Sequence, residues 1–126
     1  MTTAGEAPFH AHVYYNDAER PAAAALRARL AAAAEVLFVG ELCDGQAGPH
    51  PISQFEIHFL EAGLAAVRPI LEASGLTALV HPLTADDVAD HTTLADWIGA
   101  PLELDLTTLD PPGVNQGLAR FGKSDF

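Results

Sequence analysis

Two seven-residue stretches, FHAHVYY at 9–15 and QFEIHFL at 54–60, alternate apolar and polar side chains almost without a break. Such alternation suits an extended chain, in which successive side chains point to opposite faces. Phe9, Ala11 and Val13 share one face of the first stretch, and Phe55, Ile57 and Phe59 share one face of the second. The opposite faces carry His10, His12 and Tyr14, and then Gln54, Glu56 and His58. Each stretch reads as a strand with one side for a core and another rich in imidazole. The chain has to bury the first side and find a use for the second.

The segments between and after these strands supply the burial. Asn16 and Asp17 are N-cap candidates, and the alanine-rich run that follows, with Leu26 and Leu30 one turn apart, reads as a helix of about four turns. Pro21 falls in its first turn, where its missing N–H costs nothing. VLFVGEL at 36–42 reads as a second strand, ending in the turn-rich CDGQAGPHP. Residues 62–74 place Leu64, Val67 and Leu71 at helical spacing before Gly75, with Pro69 implying a kink or a late start. TALVHPL at 77–83 is a fourth strand, with Leu79 and His81 on one side.

Strand, helix, strand, strand, helix, strand is the order of an α+β ferredoxin-like sandwich, a four-stranded antiparallel sheet with both helices on one face. The expectation places the first and third strands as a central parallel pair, the fourth beside the first, and the second face open. That face carries His10, His12, Tyr14, Gln54, Glu56, His58 and His81. Beyond it, Thr84-Ala85-Asp86-Asp87 resembles a capping box opening a short helix through DVAD, with His91 after it. PLELDL at 101–106 reads as an extra edge strand or arm. A Pro- and Gly-rich tail from Asp110 reads as a loop docking on the domain or on a partner. The whole, 1–126, is expected to be one domain with its core at 9–106 and a tail at 107–126.

Composition narrows the partners. Six Lys and Arg against 17 Asp and Glu give a net charge of -11, which disfavours nucleic acid and anionic membranes. Cys43 is the single cysteine, so neither an internal disulfide nor a thiolate zinc site is available, and a reducing, cytoplasmic setting fits. No segment approaches the ~18 apolar residues of a membrane span, and MTTAGEAP has no leader pattern.

Six histidines are many for this length. His10 and His12, two residues apart on a strand, have Cβ atoms roughly 6.5–7 Å apart and can converge on one ion. Two histidines and a carboxylate with open positions is the pattern of non-haem Fe(II) oxygenases. The candidate ligands are His10, His12 and His81, with Glu56 or His58 completing the set. His50, between Pro49 and Pro51, is either a pocket wall or an exposed turn residue, and Tyr14 either binds substrate or stacks at a dimer seam. Asp90-His91 reads as a carboxylate orienting an imidazole or as an ordinary helix end, and Trp97 as packing.

The blocks FHAHVYY, GPHPISQFEIHF and VHPLTADDVADHTTLADWIGAPLELDL together resemble the aromatic ring-cleavage family typified by DOPA 4,5-dioxygenase, over residues 9 to about 106. The resemblance implies a ferredoxin-like fold, a homodimer, and extradiol cleavage of a catechol such as DOPA by O₂ with Fe(II), with Zn(II) as an alternative occupant in purified protein. The family's histidine blocks correspond to His10 and His12, His50 and His58, and His81 and His91. A histidine near its unperturbed pKa suits the proton transfers such a reaction needs, so His58 or His91 is the expected acid–base group, with His50 and Tyr14 holding the substrate. The competing expectation is a non-catalytic module that binds a small aromatic or a metal on the same face.

Overall fold

The computed structural model describes residues 5–122. The ends of the chain, 1–4 and 123–126, lie outside the described residues, and with them the start of MTTAGEAP and the last of the tail. Five strands form one antiparallel sheet in the order β2-β3-β1-β4-β5: β1 Pro8–Tyr14, β2 Val36–Val39, β3 Gln54–Leu60, β4 Ala78–Pro82 and β5 Asp96–Ile98. Among the described residues, four α-helices accompany them: α1 Arg20–Ala31, α2 Leu64–Ala73, α3 Asp87–His91 and α4 Gln116–Ala119.

The alternation read from the sequence decides which face meets the helices. Ala11, Val13, Phe55, Ile57, Phe59 and Val80 lie in the core with Ala23, Leu26 and Leu30 of α1 and Val67 and Leu71 of α2. Each fully buried Ile or Phe there contributes about 1.5–3 kcal/mol through loss of apolar surface from water. Of the alanines in α1, Ala23 alone joins this core, and Ala22, Ala24, Ala25, Ala28 and Ala31 are exposed. The N-cap of α1 is Glu19 rather than Asn16 or Asp17, and it makes no side-chain cap bond; Asn16 instead closes the preceding turn, its Oδ1 accepting from the Glu19 N–H (2.8 Å) while Glu19 Oε1 accepts from the Asn16 N–H (3.0 Å). Pro69 sits inside α2, and a 3₁₀ turn at Glu61–Gly63 leads into that helix, so its regular part starts at Leu64 rather than 62.

Several expectations change. The central pair β1–β3 is antiparallel, not parallel. The α1 crossover brings β2 back parallel to β1, and β3, antiparallel to β2, inserts between them, so it opposes both. The sheet has five strands instead of four, because Asp96–Ile98 pairs with the outer edge of β4. With that edge taken, PLELDL cannot add a strand there. It passes instead beside the loop before β3, where the Asp105 N–H donates to the Pro49 carbonyl (2.9 Å), and turns into a 3₁₀ segment at Leu106–Thr108. Finally, the N-cap of α3 is Asp86, which accepts from the Ala89 N–H, while the hydroxyl of Thr84, two residues earlier, accepts from the Asp86 N–H.

The second face of the sheet is not open. His10, His12, Tyr14, Gln54, Glu56, His58 and His81 are all 3% exposed or less. The cover comes from the same chain: the 47–50 turn, α3, and the segment from 105 to 122. The tail therefore docks on the domain, and an uncovered histidine face no longer argues for a dimer. Among the described residues, no helix is long and apolar enough to cross a membrane.

Candidate metal centre and its cavity

Strand register builds the site. His10 stands opposite His58 on β3 and His81 on β4, so three imidazoles form a row across the three middle strands. His12, one pleat further along, stands opposite Glu56 and Leu79. Two groups of three result, each with ligand atoms within 4.8 Å of one another: His10, His12 and His81, and His10, Glu56 and His58. Gly40 permits the close approach of β2 beside the second group, since a Cβ there would lie 3.0 Å from Glu56 Cγ.

The proton positions separate the groups. A backbone carbonyl can only accept, so His81 Nδ1 donates its proton to Pro82 O (2.8 Å) and a neutral ring keeps its lone pair on Nε2. His12 is held similarly, its Nδ1–H donating to Gln54 Oε1 (3.0 Å). The two Nε2 atoms face each other at 3.1 Å. Two lone pairs at that distance repel unless a cation lies between or beside them. Burial, reinforced by the neighbouring histidines, pushes His12 and His81 well below the usual imidazole range, so a shared proton does not fill that role at neutral pH. An electron-rich pair of oriented, neutral imidazoles beside His10 fits a divalent transition metal.

The second group fits one poorly. A backbone N–H can only donate, and the Gly122 N–H donates to His58 Nδ1 (2.9 Å). The proton of a neutral His58 is therefore on Nε2, which lies 3.5 Å from Glu56 Oε2. Metal binding through that nitrogen would require its proton to leave. The ring is further enclosed, stacked at 3.8 Å on His10 and at 5.4 Å on Phe121.

A cavity of about 240 Å³ opens over the first group. His10, His12 and His81 line its floor, His50 and His91 its walls, and residues of the 108–120 segment its roof. His50 is thus a pocket wall and not an exposed turn residue. Paired backbone hydrogen bonds between Ala47 and His50 close the turn that carries it, and its Nδ1 lies 2.6 Å from the Tyr14 hydroxyl. Burial lowers the His50 pKa to about 3. Tyr14 does not line the cavity; it orients His50 and stacks on Trp97 of its own chain at 5.8 Å.

His91 lines the cavity at the end of α3, inside the helix rather than after it. Its Nδ1–H donates to Asp87 O (2.7 Å), with Asp87 Oδ1 at 3.4 Å. The orienting residue is Asp87, not the adjacent Asp90. Asp90, fully buried, accepts instead from the Thr84 N–H, the Thr84 hydroxyl and Asn115 Nδ2. His58 and Glu56 lie off the cavity, behind His10. The roof residues, Arg120 among them, follow no periodic pattern in the sequence. Asn115 as a cap residue and Phe121 in a tail otherwise rich in Gly and Pro are the only signals that the tail docks.

A covered sheet face with a histidine triad under a small cavity is compatible with metal binding. The profile of the Dopa 4,5-dioxygenase family matches residues 9–108. This chain belongs to that family. A DOPA 4,5-dioxygenase of Amanita muscaria is 33% identical over 111 residues, covering 80% of this chain and 49% of that protein. A protein of Botryotinia fuckeliana described as an uncharacterized 21.2 kDa protein is 39% identical over 70 residues, covering 48% of this chain and 38% of its own. The chain thus spans less than half the length of these two relatives. A crystal structure of a "putative dioxygenase" from Nostoc punctiforme is 40% identical, with a TM-score of 0.78, covering 86% of this chain and 95% of that one.

Proposed function

We propose that this protein is a non-haem, metal-dependent extradiol dioxygenase that cleaves a small catechol of the DOPA type with O₂, on a ferredoxin-like unit extended by one edge strand. The observation that carries this reading is the pair of His12 and His81 lone pairs facing each other at 3.1 Å beside His10 under the cavity. His10, His12 and His81 would hold the metal, Fe(II) by the family's chemistry. When bound, Fe(II) supplies a template for both catechol oxygens and an electron route to O₂.

The chain's own residues do the rest. Gln54 and the Pro82 carbonyl fix the tautomers of His12 and His81, keeping Nε2 available. His91, held by Asp87 and carrying its lone pair on Nε2, is the group placed to accept a catechol proton and return it later. His50, held by Tyr14, forms the wall against which the ring rests. The segment over the cavity limits water around the reacting atoms. His58 anchors that segment through Gly122 and is not assigned the proton transfer.

Anaerobic loading with Fe(II), followed by a catechol and O₂, tests the proposal. The expected result is metal-dependent O₂ uptake with a yellow ring-opened semialdehyde, and a His91→Gln variant that keeps its metal and slows by roughly 10²-fold or more. A panel of catechols that bind without O₂ uptake would reduce the protein to a binding module.

A further inference from the structure

A short hydrogen bond at the cavity wall continues into a line of rings that the chemistry at the floor does not use. The Tyr14 hydroxyl is buried, and among the described residues its hydrogen-bond partner is His50 Nδ1 at 2.6 Å. A buried hydroxyl proton without an acceptor costs about 1–3 kcal/mol, so Tyr14 donates and His50 Nδ1 accepts. Ring contacts run in both directions from that bond. His50 lies 4.2 Å between centroids from His12, one of the three proposed ligands, and Tyr14 stacks on Trp97 at 5.8 Å with 24° between the planes. Trp97 belongs to the edge strand β5 and is only partly buried. Four rings thus join the floor of the cavity to the margin of the sheet.

The composition makes this line distinctive. The chain has one Trp and two Tyr, the aromatic side chains that give up one electron most readily, and two of these three lie on the line. Beyond the floor itself, the ring contacts of His10 and His81 among the described residues lead to His58, Phe121 and His91, which hold their electrons more tightly. Tyr15, next in sequence, sits on the core face and donates to Asp44 (2.7 Å), with no ring contact into the line. Burial pushes the Tyr14 phenol well above its usual range, so it stays protonated and loses an electron only together with its proton. His50 Nδ1 is placed to take that proton.

We propose that Trp97 and the Tyr14–His50 pair form a one-electron escape route that spares the proposed metal-binding histidines from oxidation when O₂ is activated in the cavity without a catechol. The hazard follows from the dioxygenase reading, on which the need for the route rests. An O₂-derived one-electron oxidant in the cavity takes an electron from Tyr14; the phenol O–H bond breaks, its proton passes to His50 Nδ1, and a phenoxyl radical remains. Trp97 then gives one electron to Tyr14 while His50 returns the proton, which restores the phenol and the neutral imidazole. The indole radical releases its N–H proton to solvent. One electron and one proton from a thiol or ascorbate-type reductant in solution restore Trp97. The oxidant is consumed, and no histidine ring is modified.

The test first runs the route with an oxidant supplied from outside, in Zn(II)-loaded protein and in the metal-free chain alike. Flash-generated tris(bipyridyl)ruthenium(III) in solution should oxidise Trp97, and transient absorption should show the indole radical giving way to a phenoxyl radical, more slowly in D₂O. Tyr14→Phe should abolish that transfer, and Tyr15→Phe should leave it unchanged. In a second arm, Fe(II)-loaded protein is exposed to O₂ without catechol, and oxidised histidine at 10, 12 and 81 is read by peptide mass spectrometry. Trp97→Phe should accumulate more of it than wild type, and Trp97→Tyr, which keeps an oxidisable ring, should restore protection. Absence of transfer from the indole radical, or a phenoxyl radical that survives Tyr14→Phe, would overturn the route. Equal histidine oxidation in wild type and Trp97→Phe would overturn its protective role. Transfer and protection in a protein that cleaves no catechol would sustain the inference and sink the dioxygenase reading.

Discussion

The two faces of this sheet are made by the same strands and covered in opposite ways. On one side, α1 and α2 lay regular apolar stripes on Ala11, Val13, Phe55, Ile57 and Phe59, and the fit is a matter of area and shape. On the other, short irregular pieces of chain cover buried imidazoles, each held by a few directed hydrogen bonds to Asp87, Asp90, Pro49 or His58. The difference teaches that the helix side stores the stability and the histidine side stores the chemistry. Buried imidazoles kept neutral and oriented are costly without a cation, so the second face is arranged for a ligand and not for the fold.

The sharpest way to separate the faces is His12→Ala. It should abolish turnover and metal binding, taking metal content from about one per chain to near zero by elemental analysis, while the thermal midpoint of the metal-free protein stays close to wild type. Gln54→Leu, which removes only the acceptor of the His12 proton, should weaken metal binding by roughly 10–100-fold. An unchanged affinity in Gln54→Leu would break the argument about tautomers.

Between pH 7 and 5, acid should act on the histidine face. In the folded metal-free protein, burial holds His10, His12 and His81 well below the usual range and His50 at about 3. The unfolded chain takes up those protons near ~6.5, so it binds more protons than the folded chain below that pH, and acid favours unfolding. Stability is complete above about pH 6.5 and falls below it by up to about 1.4 kcal/mol per histidine at one unit lower. Denaturant melts of the metal-free protein at several pH values would show this, and a flat profile between pH 7 and 5 would contradict it.

On the helix side, Ile57→Ala should cost about 2–5 kcal/mol by denaturant unfolding, with metal stoichiometry unchanged at temperatures where the protein stays folded. Smallest in global effect is Asp90→Ala, which leaves Thr84 and Asn115 without their acceptor and should cost roughly 1–3 kcal/mol. Its signature is local: faster amide exchange over 110–122, with sheet amides still protected. Faster exchange across the whole sheet would mean that the cover is part of the core.

What the sequence made legible follows the same division. The alternation in β1 and β3 gave the strands and their faces, and helical spacing marked Leu26, Leu30, Val67 and Leu71, because regular burial writes a period into the chain. Antiparallel register then brought His81 beside His10, as its late position in β4 suggested. The cover wrote no period. Adjacency offers Asp90 as the partner of His91 or leaves the two at an ordinary helix end, but a helix sends neighbouring residues in different directions, and Asp87, one turn back, does the orienting. His58 shares the polar face and still lies off the cavity, since one face of a twisted sheet can hold more side chains than one pocket admits.

The covering segment also has a place in time. A ribosome delivers every candidate metal-binding histidine, and all five strands, before it delivers residues 105–122. The sheet can therefore assemble while its imidazoles still face bulk solvent, and an ion can reach them by simple diffusion. Phe121 then stacks on His10 and His58 and the Gly122 N–H donates to His58 Nδ1, so the segment that covers the imidazoles is the last of the described chain to be made.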